Sequence, residues 1–265
     1  MSDEFKFKEK YDIDDLLLIV KKLRSPGGCP WDIEQTHESI RQGMLEEAYE
    51  VVDAIDLNDE VGLCEELGDV LLQIVFHAQL SKEENTFDLQ DVANGICQKL
   101  ILRHPHVFGD VQVKNTEEVL NNWDKIKKQE KNQLTYKETL ESVPKALPAL
   151  MRATKVQKRA SKAGFDWANI DDAANKFYEE IDDLKQVVRG KNQSKIEEEF
   201  GDLLFTAVNI SRFIGVDAEN ALGKATEKFT NRFGKIESRV TQSGKDLKYM
   251  SLEELDGIWD SVKHE

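Results

Sequence analysis

Apolar residues along this chain recur at intervals of three and four, not two. Leu63, Leu67, Val70, Leu71, Ile74 and Ala78 form one such series, and Ile40, Met44, Ala48, Val51 and Ile55 form another. That spacing gathers them on one face of an α-helix, whose side chains return to the same side every 3.6 residues. No convincing run alternates apolar and polar residues as a half-buried strand does. The prolines and glycines of SPGGCPW (25–31), HPHVFG (104–109) and PKALP (144–148) read as loops and helix boundaries between long uninterrupted stretches. The pattern predicts an all-α chain.

The helical series repeat. LEEAYEVVDAI and CEELGDVLLQIV in the first half are matched by YEEIDDLKQVV and EEEFGDLLFTAV in the second. Glu47, Glu50, Glu66 and Asp69 correspond to Glu180, Asp183, Glu199 and Asp202, each 133 positions apart, as 47 is from 180. Downstream, Lys99 and Arg103 (KLILR) pair with Lys228 and Arg232 (KFTNR). EEVLNNWDKIK then pairs with EELDGIWDSVK, setting Trp123 opposite Trp259, while PWD at 30–32 faces FDW at 165–167 more loosely. One matched acid is cheap by chance; an ordered series is not. The chain is a tandem duplication with expected domains 1–135 and 136–265.

Each half carries two acid pairs spaced i,i+3 on successive helices, and such a pair shares one helix face. An antiparallel hairpin brings the two pairs together. Four carboxylates in one semi-buried volume repel and raise one another's pKa. A divalent cation removes that penalty, and oxygen-only ligation suits magnesium, manganese or calcium. Gly68 and Gly201 stand between the acids inside the helices, where glycine costs about 1 kcal/mol against alanine, so a close approach by another helix or a ligand is expected there. The Lys99/Arg103 and Lys228/Arg232 pairs, at i,i+4, suit either clasping a phosphate chain or an ordinary exposed face. Trp123 and Trp259 suit either stacking on a base or closing the core.

Composition narrows the partners. A net charge of −15 makes direct nucleic-acid binding unexpected, because such binding draws on Lys and Arg neutralising phosphates. No apolar run reaches the roughly 18 residues of a membrane helix, and the start lacks the apolar stretch of a signal peptide. Cys29, Cys64 and Cys97 are widely spaced and read as buried thiols in a reducing, cytoplasmic setting. Glu34 and His37 form an ExxH without the second motif a di-iron bundle needs. There is no GxxxxGK[ST] phosphate loop and no GxSxG nucleophile motif.

The acid pattern EExxE, a gap, then ExxD resembles the metal motif of the MazG family of all-α nucleoside triphosphate pyrophosphohydrolases. It reads here as Glu46, Glu47, Glu50, Glu66, Asp69 and again as Glu179, Glu180, Asp183, Glu199, Asp202. GGCPWD, RHPHVFGD, LPALMRA, QKRA, GFDW, FGDLLF and EKFTNRF are also similar to full-length bacterial members. The resemblance implies a tandem of four-helix-bundle-type domains that bind ATP and other nucleoside triphosphates and release monophosphate and pyrophosphate. It also implies Mg²⁺, with Mn²⁺ as a substitute, and a homodimer. The carboxy-terminal copy is the one generally active in full-length members. Carried over, Glu180, Asp183, Glu199 and Asp202 hold metal; Lys195, Lys228 and Arg232 serve phosphates; Trp259 serves the nucleotide. Asp183 is one methylene shorter than the glutamate the motif also allows. Glu179 and Glu198 are the candidate proton acceptors from water. The first copy keeps a complete acid set. Two rival classes remain, a nucleotide sensor that does not hydrolyse and a structural helical adaptor.

Overall fold

The computed structural model describes residues 7–130 and 135–263. The opening MSDEFK of the segment read above for a signal peptide lies outside them. Among the described residues every regular element is helical, as the three-and-four spacing predicts. The chain divides into two compact units, 1–127 and 128–265; the expected boundary at 135/136 adjoins residues 131–134, which lie outside the described residues.

The amino-terminal unit contains α1 (Ile13–Arg24), α2 (Pro30–Glu34), α3 (Arg41–Leu57), α4 (Glu60–Glu83), α5 (Leu89–Arg103) and α6 (Pro105–Phe108), and most of α7 (Thr116–Glu130). The carboxy-terminal unit contains α8 (Tyr136–Glu141), α9 (Ala149–Ser161), α10 (Ile170–Gly190), α11 (Gln193–Phe213) and α12 (Ala218–Gln242). A 3₁₀ turn at Leu247–Tyr249 and α13 (Leu252–Val262) complete it.

Each unit is organised by a hairpin, α3 against α4 and α10 against α11. The turns are alike. Asn58 ends α3 and Lys191 ends α10 in the left-handed region, at φ 56 and 55. The next residue caps the following helix: Asp59 accepts from the Val61 and Gly62 amides, and Asn192 accepts from the Lys195 amide. Two residues therefore stop one helix, satisfy the orphan amides of the next and reverse the chain.

A further helix lies against each hairpin, α1 on α4 and α9 on α11. In the amino-terminal unit the core is Val20, Ile40, Val75, Phe76 and Leu80, with Leu16, Leu17, Leu72 and Leu89 packed around it. In the carboxy-terminal unit a second core of Ile236, Val240 and Val262 gathers Leu247, Met250, Leu255, Ile258 and Trp259. Glu219, in the first turn of α12, accepts from the Met151 amide at 3.3 Å, supplying an acceptor that Pro148 at the start of α9 lacks. No helix among the described residues is long and apolar enough to cross a membrane.

Candidate active site

The hairpins bring the acids together as their spacing predicts. Carboxylate oxygens of Glu47, Glu66 and Asp69 lie within 4.8 Å of one another in the amino-terminal unit, and those of Glu180, Glu199 and Asp202 do so in the carboxy-terminal unit. Each group can hold a metal ion, and its all-carboxylate donor set fits a hard divalent cation. The fourth acid of each expected quartet stands beside the trio. Glu50 hydrogen-bonds Glu66, and Asp183 acts on Glu199 through its charge.

The crowding has an electrostatic signature. Burial, then the charges of Asp69, Glu50 and Glu46, pushes the Glu47 carboxyl above its usual range. Glu66 is raised by burial, then by the charge and hydrogen bond of Glu50. Glu199 is raised by burial, then by Asp183, Glu180, Asp202 and Glu198. Each cluster resists full ionisation without a cation.

One cation distinguishes the two clusters. Lys176, one turn before Glu180 on α10, bonds Glu179 at 2.7 Å and Glu180 at 2.8 Å. Those two carboxylates raise its pKa. Glu180 is buried, so the lysine supplies the counter-ion that a buried carboxylate requires. The position in register in the amino-terminal unit is Gly43, which has no charge to offer. Sequence reasoning missed Lys176; its signal was the i,i+4 spacing to Glu180.

Lys176, Glu180 and Asp202 form one end of a cavity of about 560 Å³, within the size range of small-molecule sites. Phe165, Asp166, Trp167, Asn209 and Arg212 line it too, with Val156, Gln157 and Phe205. Arg212 stands ten residues beyond Asp202 on α11, about 15 Å along the helix, which separates an acidic end from an aromatic one. Gln157, Phe205 and the loop residues fall in the QKRA, FGDLLF and GFDW strings noted in the sequence, whereas Val156, Asn209 and Arg212 of α9 and α11 carried no such signal.

The remaining predicted residues fall elsewhere. Lys195 lies on α11 four residues before Glu199 and seven before Asp202, on the same helix face. Glu198 is exposed, and Glu179 is engaged by Lys176. Lys228 and Arg232 line a separate recess with Lys224, Lys235 and Lys263. Trp259 lies 5.3 Å from Phe229 and 5.6 Å from the Arg232 guanidinium, against the α12–α13 core. Trp123 sits between Arg103 and Lys127 at 5.5 and 5.6 Å, and Lys99 is exposed on α5.

Two expectations are corrected. A Cβ built on Gly68 or Gly201 would meet nothing within 4 Å, so no described helix of this chain approaches them. Cys64 and Cys97 are exposed and Cys29 half-buried, because α4 and α5 turn those positions outward. The ExxH histidine, His37, meets His77 with Nδ1 atoms 2.7 Å apart.

The family model for the MazG nucleotide pyrophosphohydrolase domain matches residues 35–108 and again 171–236. The chain is 46% identical over 256 residues to a nucleoside triphosphate pyrophosphohydrolase of Escherichia coli (strain K12), covering 96% of this chain and 97% of the relative. It is 45% identical over 250 residues to the nucleoside triphosphate pyrophosphohydrolase/pyrophosphatase MazG of Thermotoga maritima, covering 94% and 95%. The crystal structure of a mazG-related protein from Thermotoga maritima is 28% identical, covering 44% of this chain and 99% of that one, with a TM-score of 0.38.

Proposed function

The chain belongs to the MazG nucleotide pyrophosphohydrolase family and carries its domain twice, and from that premise we propose how this molecule acts. It hydrolyses nucleoside triphosphates, ATP and deoxynucleotides among them, between the α- and β-phosphorus to give monophosphate and pyrophosphate. The observation that carries the placement is the carboxy-terminal cavity, which Glu180 and Asp202 of the carboxylate trio line together with Lys176 and, farther along, with aromatic side chains. A triphosphate suits the first end and a base the second.

Glu180, Glu199 and Asp202, with Asp183 beside them, would hold Mg²⁺, or Mn²⁺ in its place. When bound, such an ion neutralises phosphate charge and lowers the pKa of water. Lys176 holds the Glu180 carboxylate in place through their ion pair. Glu179, paired with Lys176, and Glu198, exposed one residue before Glu199, are the acids we assign to take the proton from the attacking water. Lys195 faces the leaving phosphates from the acid-bearing side of α11. Lys228, Arg232 and Trp259 stand on α12 and α13 and reach the nucleotide only if those helices close on it. Lys99, Arg103 and Trp123 hold the same relation to the amino-terminal cluster of Glu47, Glu50, Glu66 and Asp69.

The protein acts as a homodimer. Within the carboxy-terminal unit Tyr178, Val188, Phe200, Leu204, Phe229 and Phe233 are exposed, more apolar surface than an isolated unit keeps without a partner. The space open above Gly201 suits a helix of the second copy. Three free cysteines, two of them exposed, fit a reducing cytoplasm. The domains run 1–135 and 136–265.

Hydrolysis in ¹⁸O-labelled water tests the bond assignment. Label in the monophosphate, with unlabelled pyrophosphate, is the expected result. Label in pyrophosphate, or release of diphosphate and orthophosphate, would contradict it.

A further inference from the structure

Phe165, Asp166 and Trp167 lie in the loop between α9 and α10, held by one ion pair. Gly164 turns the chain into the loop at φ +86, a region open to glycine without a steric cost. Both terminal nitrogens of Arg212 then donate to the two carboxylate oxygens of Asp166, one at 2.9 Å. A fork of this kind fixes angle as well as distance. Arg212 is itself steadied: it donates to Asn209 Oδ1 at 3.3 Å and lies 4.8 Å from the Phe213 ring.

The amino-terminal unit carries the same two residue types exchanged. Arg24 stands in register with Gln157, and Gln79 in register with Arg212, both at the spacing of the acids. Arg24 donates to the Asp32 carbonyl and, at 3.2 Å, to the Gln35 carbonyl. It lies 5.2 Å over the Phe76 ring and reaches Glu83 at 2.8 Å. Arg24 on α1 thus reaches both α4 and the end of α2. Gln157, at the matching position on α9, makes no such bridge; its Nε2 is drawn back onto the Phe205 carbonyl at 2.7 Å. The loop's anchor comes from α11 instead.

We propose that this Arg/Gln exchange opens a nucleobase pocket in the carboxy-terminal unit alone, where Trp167 stacks on the base and the Arg212–Asp166 fork is the positioning pair that holds it. The inference rests on the nucleotide hydrolase reading and assigns its base-contacting residue. Trp167 lines the same cavity as Glu180 and Asp202, so one nucleotide can touch both ends. The Asp166 and Arg212 head groups are committed to each other, so the loop offers a planar ring its aromatic faces, Phe165 and Trp167. Trp167, the larger face and the less exposed of the two, is the one assigned to the base.

The test uses the full chain with Mg²⁺ and two readouts, steady-state turnover and tryptophan fluorescence on titration with a non-hydrolysable α,β-methylene nucleoside triphosphate. Trp167→Leu is expected to raise KM about tenfold, within what loss of base stacking supports, with kcat little changed, and to remove most of the fluorescence response, leaving only what Trp259 contributes. Asp166→Asn is expected to raise KM in the same direction while the fluorescence response weakens. The double variant Gln157→Arg/Arg212→Gln rebuilds the amino-terminal arrangement. It is expected to lose both nucleotide response and turnover, yet keep the thermal stabilisation by Mg²⁺ alone that shows its acids are in place. Wild-type KM and fluorescence response in Trp167→Leu would overturn the proposal, as would unimpaired nucleotide binding by the double variant. A fluorescence response largely lost in Trp167→Leu, with no turnover by the wild-type protein, would sink the hydrolase reading and leave the stacking assignment standing.

Discussion

The two units present nearly the same acids in different surroundings. Glu47, Glu66 and Asp69 converge as closely as Glu180, Glu199 and Asp202. Around them Gly43 faces Lys176, Arg24 faces Gln157, Phe76 faces Asn209 and His77 faces Ile210 in register. A metal-type carboxylate cluster needs only two helices and a two-residue turn. A substrate site also needs a vacant volume beside the cluster and a counter-ion for its buried carboxylate. The carboxy-terminal unit has both in the cavity and Lys176. The amino-terminal unit places an arginine and a phenylalanine at the matching positions.

The largest effect expected from this difference is on turnover. Glu199→Ala should lower kcat by about 10²–10³-fold, the scale of losing one well-placed electrostatic contributor, while Glu66→Ala should stay close to wild type. Steady-state assays of the two variants, each checked for folding by circular dichroism, decide it. Comparable losses in both would break the contrast between units.

Lys176→Met comes next. It leaves the buried Glu180 without its counter-ion, and the metal-free protein should lose about 1–2 kcal/mol of stability, less than a fully buried pair would because the lysine is one-third exposed. Mg²⁺ should restore more of that loss than it adds to wild type, since the ion supplies the missing positive charge. Denaturant titrations with and without Mg²⁺ measure both. Equal stabilisation by Mg²⁺ in the two proteins would detach Lys176 from the cluster.

The duplication, the helices and the acid trios were legible in the sequence because they depend on short-range spacing. The i,i+3 carboxylates lie on one helix face, and Asn58–Asp59 and Lys191–Asn192 reverse the chain locally. The cavity was not legible. Gln157 from α9, Trp167 from a loop and Arg212 from α11 meet only through tertiary packing, and an Arg/Gln exchange between repeats carries no periodicity to notice. Trp259 was expected on the nucleotide or in the core, and it packs with the α12–α13 core.

A smaller effect separates the units by pH. His77 has its pKa lowered by burial and then by His37, and Ile210 stands at its matching position. The unfolded chain therefore takes up the proton first as pH falls. The contribution of this residue to stability is full above the ordinary imidazole value of 6.5 and is lost as pH falls through the depressed folded value. Between pH 7.5 and 5.5, His77→Ile should lose less in Tm than wild type does. Parallel shifts in the two proteins would remove His77 from the pH response.

The central claim is that turnover belongs to the carboxy-terminal unit, and product analysis of two matched double variants tests it most directly. With ATP and Mg²⁺, Glu47→Ala/Glu66→Ala should release monophosphate and pyrophosphate at close to the wild-type rate, and Glu180→Ala/Glu199→Ala should release neither. Hydrolysis surviving in the second variant and lost in the first would contradict the account.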